Sequence, residues 1–386
     1  MTLMNIDSSD ESAEREKLIK DALSLVQDPE LHKSIVELGM VESVQLQGSD
    51  AHVTIKLTIA TCPMQDRLRA DTERALLAVP GISGVQLTFV VMSEDERTAL
   101  KKMLRGGVEK VNPFAQSTSL TRVIGIASGK GGVGKSSITA NLAVAAARKG
   151  LNVGILDADV YGHSIPRLLG ITGQKPTAID QTFYMPVEAY GVKVVSMAMF
   201  KPNESDHIAY RGPLLHRVLD QLMCDAYWGA LDILFLDLPP GTGDIAISLG
   251  QMLPNSEVLV VTTPQLAASE VAERAGRMAH QMNQRILGVV ENMSESPCPH
   301  CGQPIALFGQ GGGSDTAARL SALTGEEVEL LGKIPFDTDF RNGGDEGIPA
   351  LIHSDQGPVA DAINELLENI LTRRRSLAGR TLGLHT

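Results

Sequence analysis

The chain has 386 residues, 43% of them hydrophobic, which excludes wholesale disorder and leaves room for two domains. Its 46 Asp and Glu against 34 Lys and Arg give a formal charge of -12, a balance that repels a phosphate backbone and argues against a broad nucleic-acid surface. Apolar runs such as VLVV are far shorter than the roughly 20 residues of a membrane helix. The polar, acidic start MTLMNIDSSDESAEREK has no apolar signal region. The sequence thus places the protein in the cytoplasm, with no nucleic acid or membrane as partner. Cys62, Cys224, Cys298 and Cys301 accordingly read as thiols or metal ligands.

Residues 1–104 read as a small α+β domain. An amphipathic helix with Leu18, Ala22, Leu25 and Val26 on one face is expected to end near Asp28-Pro29, since proline disfavours helix at the residue before it. Two alternating segments, VESVQLQ and HVTIKLTI, flank Gly48-Ser49-Asp50 and predict a hairpin. Cys62-Pro63 is expected to open a second helix, and Gly81 and Gly84 lead into the strand VQLTFVV. The stretch RGGVEKVNPFAQSTS is rich in Gly, Pro and Ser, and residues 105–119 are read as a linker.

Residues 120–372 change character. Short apolar strands alternate with helices: RVIGIAS, NVGILDAD, VKVVSMA, LDILFLDL, VLVVTT, ILGVVEN and VELLGKI. Strands of this kind are buried on both faces, which predicts an α/β domain with a mostly parallel sheet flanked by helices. Gly311-Gly312-Gly313 is read as a flexible connection, and residues 373–386, opening with three arginines, as a solvated tail.

Between the first of these strands and the helix SSITANLAVAAARK lies Gly129-Lys130-Gly131-Gly132-Val133-Gly134-Lys135-Ser136, which fits G-x-x-x-x-G-K-S/T in its required strand–loop–helix context. Glycines let successive backbone N–H groups wrap phosphate, and the following helix adds its N-terminal dipole. Lys135 is expected to reach the β- and γ-phosphates, Ser136 to bind Mg²⁺, and Ser137 to lie beside them.

Lys130 is not needed to cradle the chain's own phosphates. The run KGGVGKS resembles the deviant Walker A loop of the MinD/ParA/Mrp class of P-loop ATPases. In that class the first lysine reaches across a dimer to the partner's nucleotide, and the resemblance gives Lys130 this catalytic role. It also matches Asp157-Ala158-Asp159 to the first switch, with Asp157 near the metal and Asp159 positioning the attacking water. Asp237, followed by PPGTGD, matches the Walker B carboxylate and second switch. All three aspartates end predicted parallel strands, where α/β sheets bind ligands. Taken singly, each is as well read as a cap. Asn292 and Pro335, the latter in the turn Ile334-Pro335-Phe336-Asp337, match positions that hold adenine in this class, and spacing alone leaves that open.

Cys298-Pro299-His300-Cys301 follows a core strand. Two cysteines so spaced grip one metal from a tight turn, but a tetrahedral site takes four ligands. The residues alone admit a cage shared by two subunits, a redox dithiol, or a zinc half-knuckle completed by His300 or another group. Together with ENMSESP and DLPPGTGD, the pair resembles the Mrp/ApbC family of iron–sulfur carriers. Asp28-Pro29-Glu30, Leu38-Gly39-Met40-Val41 and Thr61-Cys62-Pro63 resemble the small domain found on iron–sulfur assembly factors. The resemblance implies a homodimer that binds ATP and Mg²⁺ and holds a [4Fe–4S] cluster on Cys298 and Cys301 of both subunits. It would take the cluster from an upstream assembly scaffold and pass it to apo iron–sulfur proteins, with slow ATP hydrolysis. A positioning ATPase of the MinD or ParA kind and a zinc-bridged regulatory ATPase are the rivals. Cys62 reads equally as a transfer ligand or a small capping residue, and Cys224 as core.

Overall fold

The computed structural model describes residues 8–59, 64–107, 111–116, 118–159, 162–180, 182–201, 212–298 and 300–373, with backbone alone at 8–14, 212–213 and 266–267. Expectations for Cys62-Pro63 and for the tail beyond residue 373 lie outside the described residues. The chain divides into two compact units: residues 1–110 with Ala178–Met185, and residues 111–177 with 186–386.

In the first unit, α1 (Ser8–Ser24) precedes a three-stranded sheet of β1 (Val41–Gln47), β2 (Asp50–Leu57) and β3 (Gly84–Val91). The β1–β2 pair is the expected antiparallel hairpin. The β2–β3 pair is parallel and joined through α2 (Gln65–Leu77). Period two decides the strand: Ala51, Val53, Ile55 and Leu57 of β2 are all buried. The helical period places Leu68, Thr72 and Leu76 of α2 inside.

The first helix corrects the expectation. Its buried side runs through Ile19 and Leu23 and on to Val26, whereas Leu18 is 42% and Leu25 81% exposed. Both stripes have helical spacing, and burial chose the one with β-branched Ile19. Asp28 ends the segment differently from a simple proline stop: its carboxylate accepts the N–H groups of Glu30 (3.0 Å) and Leu31 (2.8 Å), closing a turn. A further helix, α3 (Glu94–Leu104), follows β3. Its signal was Ser93-Glu94-Asp95-Glu96, a capping box in which Ser93 Oγ accepts from the Glu96 N–H and the Glu96 carboxylate accepts from the Ser93 N–H. Lys101 of α3 pairs with Asp180 at 3.0 Å, and Arg105 stacks over the buried Phe183 ring, which sits in the hairpin segment Ala178–Met185 of the same unit.

The second unit is built on eight strands. They are β4 (Arg122–Ser128), β5 (Val153–Asp157), β8 (Val187–Ala189), β9 (Val192–Ser196), β10 (Ile233–Asp237), β11 (Glu257–Thr262), β12 (Arg285–Ser294) and β15 (Leu330–Pro335). Short two-stranded pairs, β6 (Thr177–Ala178) with β7 (Tyr184–Met185) and β13 (Ser296–Pro297) with β14 (Pro304–Ile305), complete the numbering. The order is β15-β12-β11-β4-β10-β5-β9-β8, parallel except for the edge strand β8. The seven predicted strands are present, and the antiparallel edge is an addition.

Every residue of β4, β5, β10 and β11 is buried. The helices are α4 (Lys135–Arg148), α5 (Ser164–Leu168), α6 (Gly212–Cys224), α7 (Asp244–Met252), α8 (Leu266–Gln281), α9 (Gly312–Thr324), α10 (Thr338–Glu346), α11 (Ala350–His353) and α12 (Pro358–Thr372). Helix α12 alone buries Val359, Ile363, Leu366, Leu367 and Ile370, and each such aliphatic side chain contributes about 1.5–3 kcal/mol on leaving water. The chain crosses from β10 to β11 over β4, so the strand order reverses at β4, where open α/β sheets bind ligands. Gly311-Gly312-Gly313 is not a loose connection. Gly312 and Gly313 begin α9 and are buried, and a Cβ on Gly312 would lie 2.3 Å from the Thr263 carbonyl oxygen. Close approach, rather than flexibility, explains the glycine.

Candidate functional site

The loop Gly129–Gly134 leaves the carboxyl end of β4 and turns straight into α4. Gly134 has φ 81°, and a Cβ there would meet Asn292 Nδ2 at 2.1 Å. The buried Asn292 amide instead donates to the Val133 carbonyl at 2.9 Å, so strand β12 props the loop from beneath. Residues Lys130–Gly134 of the loop and Lys135, Ser136 and Ser137 line a cavity of about 350 Å³ together with Asp159, Gly162, His163 and Arg167, a size suited to a small-molecule ligand. Asn292 and Pro335 are not among its lining residues; Pro335 lies at the half-buried end of β15.

Asp157 and Asp237 end the adjacent strands β5 and β10 and face each other in register. Both are fully buried. Asp237 Oδ2 accepts from Ser136 Oγ at 2.7 Å and lies 2.8 Å from Lys135 Nζ. Thr139 Oγ1 donates to Asp237 Oδ1 at 2.8 Å. Ser196 Oγ donates to Asp157 Oδ2 at 2.9 Å. Burial pushes the Asp157 carboxyl well above the usual carboxylate range, and the charge of Asp237 pushes it the same way. A hard cation would relieve that repulsion, and the donor set of one hydroxyl and two carboxylates is the oxygen chemistry Mg²⁺ takes. Ser136, Asp157 and Asp237 therefore fit a magnesium ion, which would neutralise phosphate charge there.

Asp159 lies at the cavity wall, where its Oδ1 accepts from the Gly162 N–H at 2.9 Å. The two lysines separate by environment. Lys135 is 6% exposed and turned onto Asp237, while Lys130 is exposed with Nζ 3.5 Å from Gln265 Oε1. Sequence reasoning missed Thr139 and Ser196. Thr139 was findable, because it follows Lys135 by one helical turn; Ser196 reaches Asp157 only through the β5–β9 register.

The cysteine pair sits at the tip of the β13–β14 hairpin, whose register pairs Ser296 with Ile305 and Pro297 with Pro304. The Cys298 N–H donates to the Gln303 carbonyl at 2.8 Å, and the Gly302 N–H returns to the Cys298 carbonyl at 2.9 Å. Cys298 is half-buried, Cys301 is exposed, and neither is in a disulfide. Backbone N–H groups of His300 and Cys301 hold the Cys298 thiol below its ordinary value. Among the described residues no cluster of three His, Cys, Asp or Glu is placed to hold a metal. Cys224 is buried on α6 with Sγ 3.3 Å from Asp220 Oδ1, as expected of a core position. No helix among the described residues is long and apolar enough to cross a membrane.

Residues 119–371 match the profile of a family described as the NUBPL iron-transfer P-loop NTPase. The chain belongs to that family. Residues 16–88 match a second one, described as an iron–sulfur cluster assembly protein. An iron–sulfur cluster carrier protein of Mycobacterium bovis is 51% identical over 369 residues, covering 95% of this chain and 96% of the relative. One from Deinococcus radiodurans is 40% identical, covering 93% of each. Among solved structures, a nucleotide-binding protein in complex with ADP from Archaeoglobus fulgidus is 34% identical with a TM-score of 0.51, covering 63% of this chain and 95% of that one. The family is one of P-loop NTPases, and membership makes this chain a nucleotide-binding protein.

Proposed function

We propose that the protein is a cytoplasmic, ATP-dependent carrier that holds a [4Fe–4S] cluster between two identical subunits. It takes the cluster from an upstream assembly scaffold and delivers it to apo iron–sulfur proteins. The observation that carries this reading is a two-thiol knuckle, half of a four-thiolate cage, exposed on a chain that also carries a complete phosphate loop. Cys298 and Cys301 of each subunit bind the cluster, which is cargo. Lys135 and the loop N–H groups hold the ATP phosphates, with Mg²⁺ at Ser136, Asp157 and Asp237. Asp159 orients the attacking water, and the exposed Lys130 reaches the neighbouring subunit's nucleotide. The adenine positions that the family resemblance assigns, Asn292 and Pro335, lie outside the lining of the phosphate cavity, so the base extends beyond that cavity. Hydrolysis is slow and resets the dimer's geometry, and with it the exposure of the cluster. Residues 105–119 serve as the linker between an assembly-type domain at 1–104 and the ATPase domain at 120–372. In the direct test, reconstituted protein donates to an apo-dehydratase that needs a [4Fe–4S] cluster, and regained dehydratase activity is followed with and without MgATP. Transfer that is lost in Cys298→Ala and in Cys301→Ala and responds to MgATP supports the carrier; transfer that is indifferent to both substitutions would end it.

A further inference from the structure

His163 stands out beside Asp159 for three independent reasons. Its backbone is left-handed, with φ 41°, a region that residues with a side chain avoid. Its N–H donates to the Asp159 carbonyl at 3.0 Å, next to the Gly162 N–H that donates to the Asp159 carboxylate. Its Nε2 lies 2.8 Å from Nζ of Lys201, a lysine that is 9% exposed.

The chemistry of that contact fixes the ring's form. An ammonium has no lone pair and can only donate, so Nε2 accepts and the proton sits on Nδ1. Burial and the Lys201 charge both lower the basicity of the ring, in agreement with a neutral imidazole. Nδ1 itself is buried and without a hydrogen-bond partner. A buried cation matched by a neutral ring, an unmatched donor and a strained backbone are each costly. All three occur where the ring borders the phosphate cavity, on the residue that ties back to Asp159.

We propose that His163 is a positioning residue for ATP hydrolysis: Lys201 grips its ring, which anchors the left-handed turn whose Gly162 N–H holds the Asp159 carboxylate in the direction the attacking water requires. The proposal rests on the ATPase reading given above. It assigns His163 no contact with the reacting atoms; the residue acts through Asp159.

The test uses the full-length protein, with ATP turnover and the affinity for a fluorescent ATP analogue measured side by side. His163→Ala is expected to lower kcat about 10- to 100-fold, as a misplacement of about 1 Å does, and to change nucleotide affinity less than about 3-fold. His163→Gln, whose amide oxygen accepts from Lys201 and whose amide N–H replaces the donor, is expected to return kcat to within about 3-fold of the native value. Lys201→Met added to His163→Ala is expected to cost nothing further, because the two residues act as one unit. An unchanged kcat in His163→Ala overturns the proposal. So does an equal loss of binding and turnover, which marks a structural role, or a His163→Gln variant that folds and is as impaired as His163→Ala. Native protein that turns over no ATP, with Lys135→Met indistinguishable from it, would instead remove the ATPase reading and the proposal with it.

Discussion

Replacing Lys135 with methionine keeps most of the stem's volume and deletes only the charge, so the variant isolates what the ammonium does. In the structure Lys135 and Asp237 are 6% and 0% exposed and their charged atoms are 2.8 Å apart. Breaking such a buried pair costs about 3–5 kcal/mol, because the remaining charge is left uncompensated. The hydroxyls of Ser136 and Thr139 still donate to Asp237, which puts the expectation at the lower end, about 3 kcal/mol. With a urea dependence of about 3 kcal/mol per molar, the unfolding midpoint should fall by about 1 M. Trp228, the chain's one tryptophan, is 3% exposed and belongs to the second unit, so its fluorescence reports on that unit. ATP hydrolysis should be lost in the same variant. Adding Asp237→Asn removes the stranded charge and should recover more than half of the stability while hydrolysis stays absent. A midpoint within about 0.2 M of the native one, or strictly additive losses in the double variant, would refute the buried-pair account.

Lys130→Ala and Asp159→Ala should each impair hydrolysis more than nucleotide binding, and mixing the two should restore activity, since one site of the heterodimer keeps both groups. Proven heterodimers without activity would place Lys130 in its own site. In metal-free protein the alkylation of Cys298, followed by peptide mass spectrometry, should titrate below the ordinary thiol value, because the His300 and Cys301 N–H groups favour the thiolate. A midpoint at or above that value contradicts the hairpin geometry. Ser93→Ala removes the cap of α3 and should cost the first unit about 1 kcal/mol, measured by hydrogen exchange of β2 and β3 amides; no change would mean the cap is redundant.

The phosphate loop was legible because its constraints are local: glycines where backbone must bend, then Lys135 and Ser136 at the start of a helix. The predicted strands of the large sheet, the edge strand β15 apart, were legible because burial on both faces leaves continuous apolar runs. What the sequence hid depends on register and on choice between equivalent faces. Helix α1 offered two stripes of helical period, and only packing shows that Ile19 and Leu23 are inside. Ser196 comes to Asp157, and Lys201 to His163, across a sheet whose strand order no periodicity encodes. Gly312 looked loose for the same reason, since the Thr263 carbonyl that excludes a Cβ lies 49 positions earlier in the chain. The Ser93 capping box was readable, and α3 follows from it directly.

The central claim is that two hairpin tips complete one cage, and counting iron and sulfide per dimer after anaerobic reconstitution tests it. The account predicts one cluster per two chains, about four irons and four sulfides, bound only by dimers. Cys298→Ala and Cys301→Ala should each abolish the cluster, Cys224→Ala should keep it, and ATP binding should survive in all three. A full cluster retained by the Cys298→Ala, Cys301→Ala double variant, or zinc alone in the native protein, would contradict the bridging carrier.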